Sequence, residues 1–336
     1  MTYDLLGIGN ALVDIEVQVE DTFIKKHSLT KGGMTLASSE SQSNILKSIK
    51  DYPTKTTSGG SAANTVHGLS VLGGKAYYLG RVASDPYGHH YTEDMTNCGV
   101  GFPGPGAETS GTGSCVVMIT PDTERTMHTH LGVSAALHPD NVDATIVKKS
   151  RMVYIEGYLW TGEETRLAAT KLMELAKKFA IPVAFTLSDA FIANSFKKDL
   201  LDFIRWHVDI LFCNEVEGLA LTDTKDPATA FAKLKAMAET VFFTRGKSGA
   251  WAGTSGEHKV HVAAFPVKAV DTTGAGDLFA AGALYGLIKK HSLKESAVIG
   301  SYCASQVVTH LGGRLPLGTH TDVRKILKTY KDNNLE

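Results

Sequence analysis

The densest chemistry in the chain lies in Val270-Asp271-Thr272-Thr273-Gly274-Ala275-Gly276-Asp277, which runs straight into the apolar stretch Leu278-Phe279-Ala280-Ala281-Gly282. Small residues ahead of a helix leave its first backbone N–H groups uncovered, and with the helix dipole these form an anion site. A phosphoryl group in transfer, its charge spread over several oxygens, would fit Gly274, Ala275 and Gly276. Asp277 repels an anion, so its place beside that hole suits a base that takes the proton of an attacking hydroxyl. Asp and Thr also cap helices, but the flanking acid and threonines favour chemistry here.

Three further segments carry polar residues at useful places. In Ser58-Gly59-Gly60-Ser61-Ala62-Ala63-Asn64-Thr65, two glycines let the backbone approach a ligand, and Asn64 offers both donor and acceptor to a pair of hydroxyls. Alone, this stretch reads better as a turn followed by a Ser-capped helix than as a ligand site. Asn10-Ala11-Leu12-Val13-Asp14 follows the first apolar strand, where ligands of open α/β sheets bind, and Asp14 is either a diol ligand or a turn residue. Asn214-Glu215-Val216-Glu217 follows the apolar run Ile210-Leu211-Phe212-Cys213. A carboxylate there suits the water shell of Mg²⁺ as well as it suits the first turn of a solvated helix.

These residues need a scaffold, and the pattern supplies one. Short β-type runs (3–8, 76–82, 152–156, 183–187, 210–213, 240–244, 260–263) alternate with helical ones (61–72, 165–179, 197–206, 228–238, 277–290, 293–309, 321–330), which predicts an α/β protein built on a mainly parallel sheet. Two segments break that rhythm. Residues 12–36 and 112–131 carry alternating strands with polar outer positions; 12–19 reads as half-exposed, and 112–125 as a hairpin with its turn at Pro121-Asp122-Thr123. Together they predict a small antiparallel sheet serving as a discontinuous lid on one large domain spanning 1–336. The Gly- and Pro-rich loop 99–111 is its lead-in.

Composition narrows the field. Lys and Arg total 34 against 35 for Asp and Glu, a net charge of −1. That leaves no electrostatic footprint for nucleic acid or an anionic membrane. Cys98, Cys115, Cys213 and Cys303 form no CxxC pair, which fits a reducing compartment rather than a disulfide or zinc framework. Residues 1–7 lack the pattern of a secretory leader, and the apolar stretch 278–288 is too short to span a bilayer. The expectation is a soluble cytoplasmic protein. Gly7-Ile8-Gly9 lacks the third glycine of a dinucleotide fingerprint, where Leu12 stands. Gly246-Lys247-Ser248 lacks the upstream glycine of a P-loop, where Val241 stands. The pair His89-His90 reads as solvated loop rather than metal ligands.

The two glycine segments, in this order, resemble the signatures of the ribokinase-like, or PfkB-type, carbohydrate and nucleoside kinases, over nearly the whole chain from Gly7 to Gly313. Within that family, Gly7-Ile8-Gly9-Asn10-Ala11-Leu12-Val13-Asp14-Ile15, Tyr154-Ile155-Glu156-Gly157-Tyr158 and Leu187-Ser188-Asp189-Ala190-Phe191-Ile192 are similar to the branch that phosphorylates adenosine. The resemblance implies a three-layer α/β/α fold and ATP- and Mg²⁺-dependent transfer to the 5′-hydroxyl of a ribonucleoside. A sugar kinase of the same family, or a silent nucleotide-binding regulator, is the alternative. By that resemblance Asp277 is the base, Gly274, Ala275 and Gly276 form the anion hole, and Arg125 reaches the transferred phosphate. Asn10, Asp14, Gly60, Ser61 and Asn64 would hold the ribose, while Leu12, Leu131, Tyr158 and Phe191 enclose the base. Asn214, Thr244, Gly246 and Thr272 would face the nucleotide, with Glu217 on Mg²⁺ through water. Thr273 stands where animal adenosine kinases often have Asn, and Met34 where a polar base-recognising side chain would be. A loop near Gly312-Gly313 would either hold a monovalent cation or close the last helices. Monomer and dimer both remain open.

Overall fold

The computed structural model describes residues 2–106, 110–256, 259–315, 319 and 322–333. Its strands, in chain order, are β1 (Leu5–Ile8), β2 (Leu12–Gln18), β3 (Met34–Leu36), β4 (Thr54–Gly59), β5 (Ala76–Leu79), β6 (Thr112–Ile119), β7 (Arg125–Gly132), β8 (Val153–Glu156), β9 (Val183–Thr186), β10 (Ile210–Asn214), β11 (Thr240–Thr244), β12 (Ala250–Thr254) and β13 (Val260–Val262). Eight of them form one sheet in the order β13-β12-β11-β10-β9-β8-β1-β5. From β11 to β5 all neighbours run parallel, and β12 and β13 close one edge antiparallel.

Period-two alternation sorts the side chains of this sheet onto two cores. Leu5, Tyr154, Ala184, Phe212 and Phe242 point to one face, where Val66 and Leu69 of helix Ser61–Val71 and Phe279 and Ala280 of helix Ala275–Ile288 meet them. Leu6, Val153, Ile155, Phe185, Leu211 and Phe243 point to the other, against Leu172, Leu200 and Leu234 of helices Glu163–Lys178, Lys197–His207 and Pro227–Lys235. The result is the three-layer α/β/α architecture that the resemblance implies, built on the mainly parallel sheet that the alternating pattern predicts.

The second sheet, in the order β3-β7-β6-β2-β4, is larger than expected and mixed rather than antiparallel: β2 pairs parallel with β6, and β3 with β7. The extra strand is β4, Thr-Lys-Thr-Thr-Ser-Gly, which has no apolar residue to announce it. Nor is β2 half-exposed, because both its faces are covered. Val13, Ile15 and Val17 pack with Phe23, Ile24 and Ile45 from helices Asp21–Lys26 and Ser39–Ser48. Leu12 on the opposite face joins Cys115 and Val117. The chain crosses between the two sheets at Leu12, Gly59, Thr112 and Gly132, which sit side by side at one end of the second sheet.

His89 and His90 lie exposed on a helix, Pro86–Asn97, rather than in a loop; Asp85 caps that helix by accepting from the Gly88 N–H. Residues 107–109 of the lead-in loop and residue 321 of the last expected helix lie outside the described residues. Among the described residues no helix is long and apolar enough to cross a membrane.

Candidate active site

The carboxyl ends of β8, β10 and β11 open onto a cavity of about 370 Å³, and the second sheet forms its other wall. The segment read from sequence as an anion site enters through Gly274, whose φ of 74° is left-handed backbone that glycine adopts without strain. Asp271, fully buried, shapes the loop ahead of it. Its Oδ1 accepts from the Thr273 N–H at 2.8 Å and from the Thr273 hydroxyl at 2.7 Å, while Oδ2 accepts from the Gly312 N–H at 2.9 Å. A Cβ on Gly276 would meet nothing within 4 Å. The first turn of helix Ala275–Ile288 therefore presents bare backbone to the cavity.

Asp277 faces the same space. Its carboxylate accepts from the Ser61 hydroxyl at 2.7 Å and from Asn64 Nδ2 at 3.0 Å. The two glycine-bearing segments, more than 200 residues apart in the chain, thus meet on one carboxylate. Gly60 makes the turn at a φ of 98°, and a Cβ there would collide with the Asn10 carbonyl oxygen. Asn10 in turn is fixed by Glu156, which is fully buried. Oε1 of Glu156 accepts from the Asn10 N–H and Oε2 from the Ala62 N–H, both at 2.7 Å. The Ser134 hydroxyl donates to Asn10 Oδ1 at 3.1 Å.

Buried carboxyl groups line the cavity. Burial pushes Asp14 up to about 8, with Glu16 adding to the effect and Arg314 and Arg125 opposing it. Burial likewise pushes Glu156 and Glu217 up to about 7, and it raises Asp277. Glu217 is tied to Asn214 in a reciprocal cap. The Asn214 N–H donates to Oε2 at 2.9 Å, Asn214 Nδ2 to Oε1 at 2.6 Å, and the Glu217 N–H to Asn214 Oδ1 at 2.8 Å. Glu217 does sit in the first turn of a helix, Glu215–Thr222, but it is buried in the cavity wall rather than solvated.

Of the residues singled out from sequence, Asn10, Leu12, Asp14, Gly60, Ser61, Asn64, Arg125, Leu131, Tyr158, Asn214, Glu217, Thr244, Gly246, Thr272, Gly274, Ala275, Gly276 and Asp277 line this one cavity. Phe191 does not. It opens the short helix Ala190–Ser195 and is 44 % exposed, outside the wall. Sequence reasoning missed Glu156 as a site residue, and also the apolar row Leu36, Val117 and Met127. The signal for Val117 and Met127 was the period-two spacing of strands β6 and β7; Leu36 lies on the three-residue strand β3.

Residues 47–320 match the pattern of the pfkB family carbohydrate kinases. The chain belongs to that family. It is therefore a kinase, a phosphotransferase acting on a hydroxyl group. The kinase is 30 % identical to the adenosine kinase of Saccharomyces cerevisiae, over 94 % of this chain and 98 % of that one. Among solved structures, it is similar to the adenosine kinase from Sinorhizobium meliloti, at 35 % identity and a TM-score of 0.92, covering 97 % of this chain and 99 % of that one. It is equally similar in fold to a probable sugar kinase protein from Rhizobium etli, at 33 % identity and a TM-score of 0.91, covering 100 % and 99 %.

Proposed function

We propose that the kinase transfers the γ-phosphoryl group of ATP to the 5′-hydroxyl of a ribonucleoside, adenosine foremost. The observation that carries this reading is the two kinds of residue that line the cavity. One set is apolar, Leu12, Met34, Leu36, Val117, Met127 and Leu131 of the second sheet; the other gathers Asp14, Gly60, Asn64 and Asp277. A nucleoside has the same two kinds of surface, with a flat base at one end and hydroxyls at the other, whereas a small sugar has no apolar end to bury.

In this reading Asp14 and Asn64 hold the ribose hydroxyls and Asp277 takes the proton of the attacking oxygen. The N–H groups of Gly274 and Gly276 at the start of the helix, with Arg125, stabilise charge on the transferred group; the Ala275 N–H donates to the Thr272 carbonyl at 3.2 Å. The donor set fits Mg²⁺. Glu217 and Asp277 are buried acids whose charges act on each other in one cavity, and a hard divalent cation binds such oxygens through water. When bound, Mg²⁺ neutralises phosphate charge. Asp271 gives both its oxygens to Thr273 and Gly312, which supports the Gly312-Gly313 loop as closure of the last helices rather than a monovalent-cation site. The second sheet serves as the lid, with β4 added to residues 12–36 and 112–131, and its closure excludes water that competes for the phosphoryl group. The proposed setting is the cytoplasm, in keeping with four free cysteines.

The test is ADP release measured with adenosine, other nucleosides, ribose and fructose as acceptors. A preference for adenosine supports the reading. A preference for ribose or fructose favours the sugar-kinase alternative, to which the Rhizobium etli likeness also points, and turnover with none favours a silent nucleotide binder.

A further inference from the structure

Gly312-Gly313-Arg314 touches both glycine-bearing segments of the site at once. The Gly312 N–H reaches Asp271, as described above. Gly313 is pressed between the two segments: a Cβ on it would come within 2.7 Å of Asn64 Nδ2, and a Cβ on Gly274 within 2.6 Å of the Gly313 Cα. Arg314 then takes hold of the Gly59-Gly60 turn from both sides. Its Nε donates to the Ser58 carbonyl at 2.8 Å and its Nη1 to the Ala63 carbonyl at 3.5 Å.

Two consecutive glycines have no side chains with which to fix their own shape. The turn is held instead at its carbonyls by a planar fork, a geometry that an ammonium group does not reproduce. Behind the turn, His67, Asp94 and Cys98 bring a nitrogen, an oxygen and a sulfur within 4.8 Å of one another. Arg314 already supplies positive charge beside His67 and Cys98, and the Ser58 hydroxyl donates to Asp94. That cluster therefore belongs to the same brace. The guanidinium also acts on Asp14 and Asp277, opposing the burial that raises both.

We infer that Arg314 is a positioning residue for the acceptor: its fork sets the Gly59-Gly60 turn so that Ser61 and Asn64 meet Asp277 and the acceptor hydroxyls. The inference rests on the proposed reading of this turn as the acceptor site. It is distinct from the anion hole, which the guanidinium does not touch, so the two substrates respond differently to its loss.

Arg314→Met and Arg314→Lys are compared with the unmodified kinase in two measurements. The first is hydrogen–deuterium exchange over residues 58–65 without any substrate; the second is KM for acceptor and for ATP separately. In Arg314→Met, exchange over 58–65 accelerates and the acceptor KM rises about tenfold or more, the scale of one charge-assisted hydrogen bond, while the ATP KM stays within about twofold. Arg314→Lys, which keeps charge but loses the fork, falls between the two, and it carries the test alone if Arg314→Met does not fold. Unchanged exchange and acceptor KM would overturn the inference. So would an equal rise of both KM values with a matching drop in Tm, which marks a purely structural role. If the unmodified kinase turns over no acceptor, the acceptor reading fails, while the exchange measurement still reports whether Arg314 holds the turn.

Discussion

Asp277→Asn isolates proton transfer from everything else the site does. The carboxylate accepts one bond from the Ser61 hydroxyl and one from Asn64 Nδ2. An amide of the same shape keeps both contacts, its oxygen accepting from Asn64 and its nitrogen donating to a rotated Ser61 hydroxyl. Geometry is therefore preserved. Burial already disfavours the charge of Asp277, so removing that charge leaves Tm unchanged or higher. What disappears is the base. General-base assistance contributes about 10²- to 10⁴-fold in rate, equal to about 3–5 kcal/mol of barrier. The expected result is a kcat lower by at least about a hundredfold, with ATP affinity kept. Initial-rate ADP release gives kcat, calorimetric titration gives nucleotide affinity, and a thermal melt checks the fold. A folded, ATP-binding variant with kcat within a few-fold of the unmodified kinase would refute the role of Asp277 as base.

Gly60→Ala combines left-handed strain of about 1 kcal/mol or more with a collision against the Asn10 carbonyl. A loss of about 2–4 kcal/mol should show as a Tm several degrees lower together with a raised acceptor KM. Met127→Glu places a charge among the apolar residues that line the cavity; the KM for a nucleoside should rise about tenfold, and if it does not, the second sheet does not hold the base. Stability without substrates should fall as pH rises from about 6.5 to about 8.5. The folded-state pKa of Asp14 is raised from 3.8 to about 8, and those of Glu16, Glu156 and Glu217 from 4.5 to about 7. Each such acid is ionised in the unfolded chain throughout the window but must lose its proton in the folded one, and Asp14 alone accounts for about 2 kcal/mol. His27, His67, His128 and His207 are held below their ordinary value of 6.5; in the unfolded chain they are about half protonated at the start of the window, so their loss of protons opposes the fall early on, by less than the four acids drive it. A melt that is flat or rising with pH across this window would contradict the sign.

What was legible in the sequence was what is contiguous. Gly274 to Asp277 and Gly59 to Asn64 announce themselves because the conformations they need demand particular residue types in a row. The central strands were legible because alternation or apolar runs mark both covered faces. Glu156 was hidden inside such a run, and the two N–H groups that explain it lie 146 and 94 residues away. Strand β4 was hidden because it is held by its neighbour β2 rather than by any burial of its own apolar residues. Phe191 shows the converse failure. A residue type suited to stacking says nothing of where a six-residue helix will aim it.

If the second sheet closes as the proposed lid, the four chain crossings at one of its ends form the hinge line, and distance along the strands becomes a lever arm. Asp14 lies two residues from the crossing at Leu12, and Arg125 seven residues from the crossing at Gly132. At about 3.4 Å per residue the arms are roughly 7 Å and 24 Å, so a swing of about 10° carries Asp14 only about 1 Å but Arg125 about 4 Å. In the proposed reading, the acid that meets the sugar would stay nearly stationary, while the cation that meets the phosphate would be delivered by the stroke.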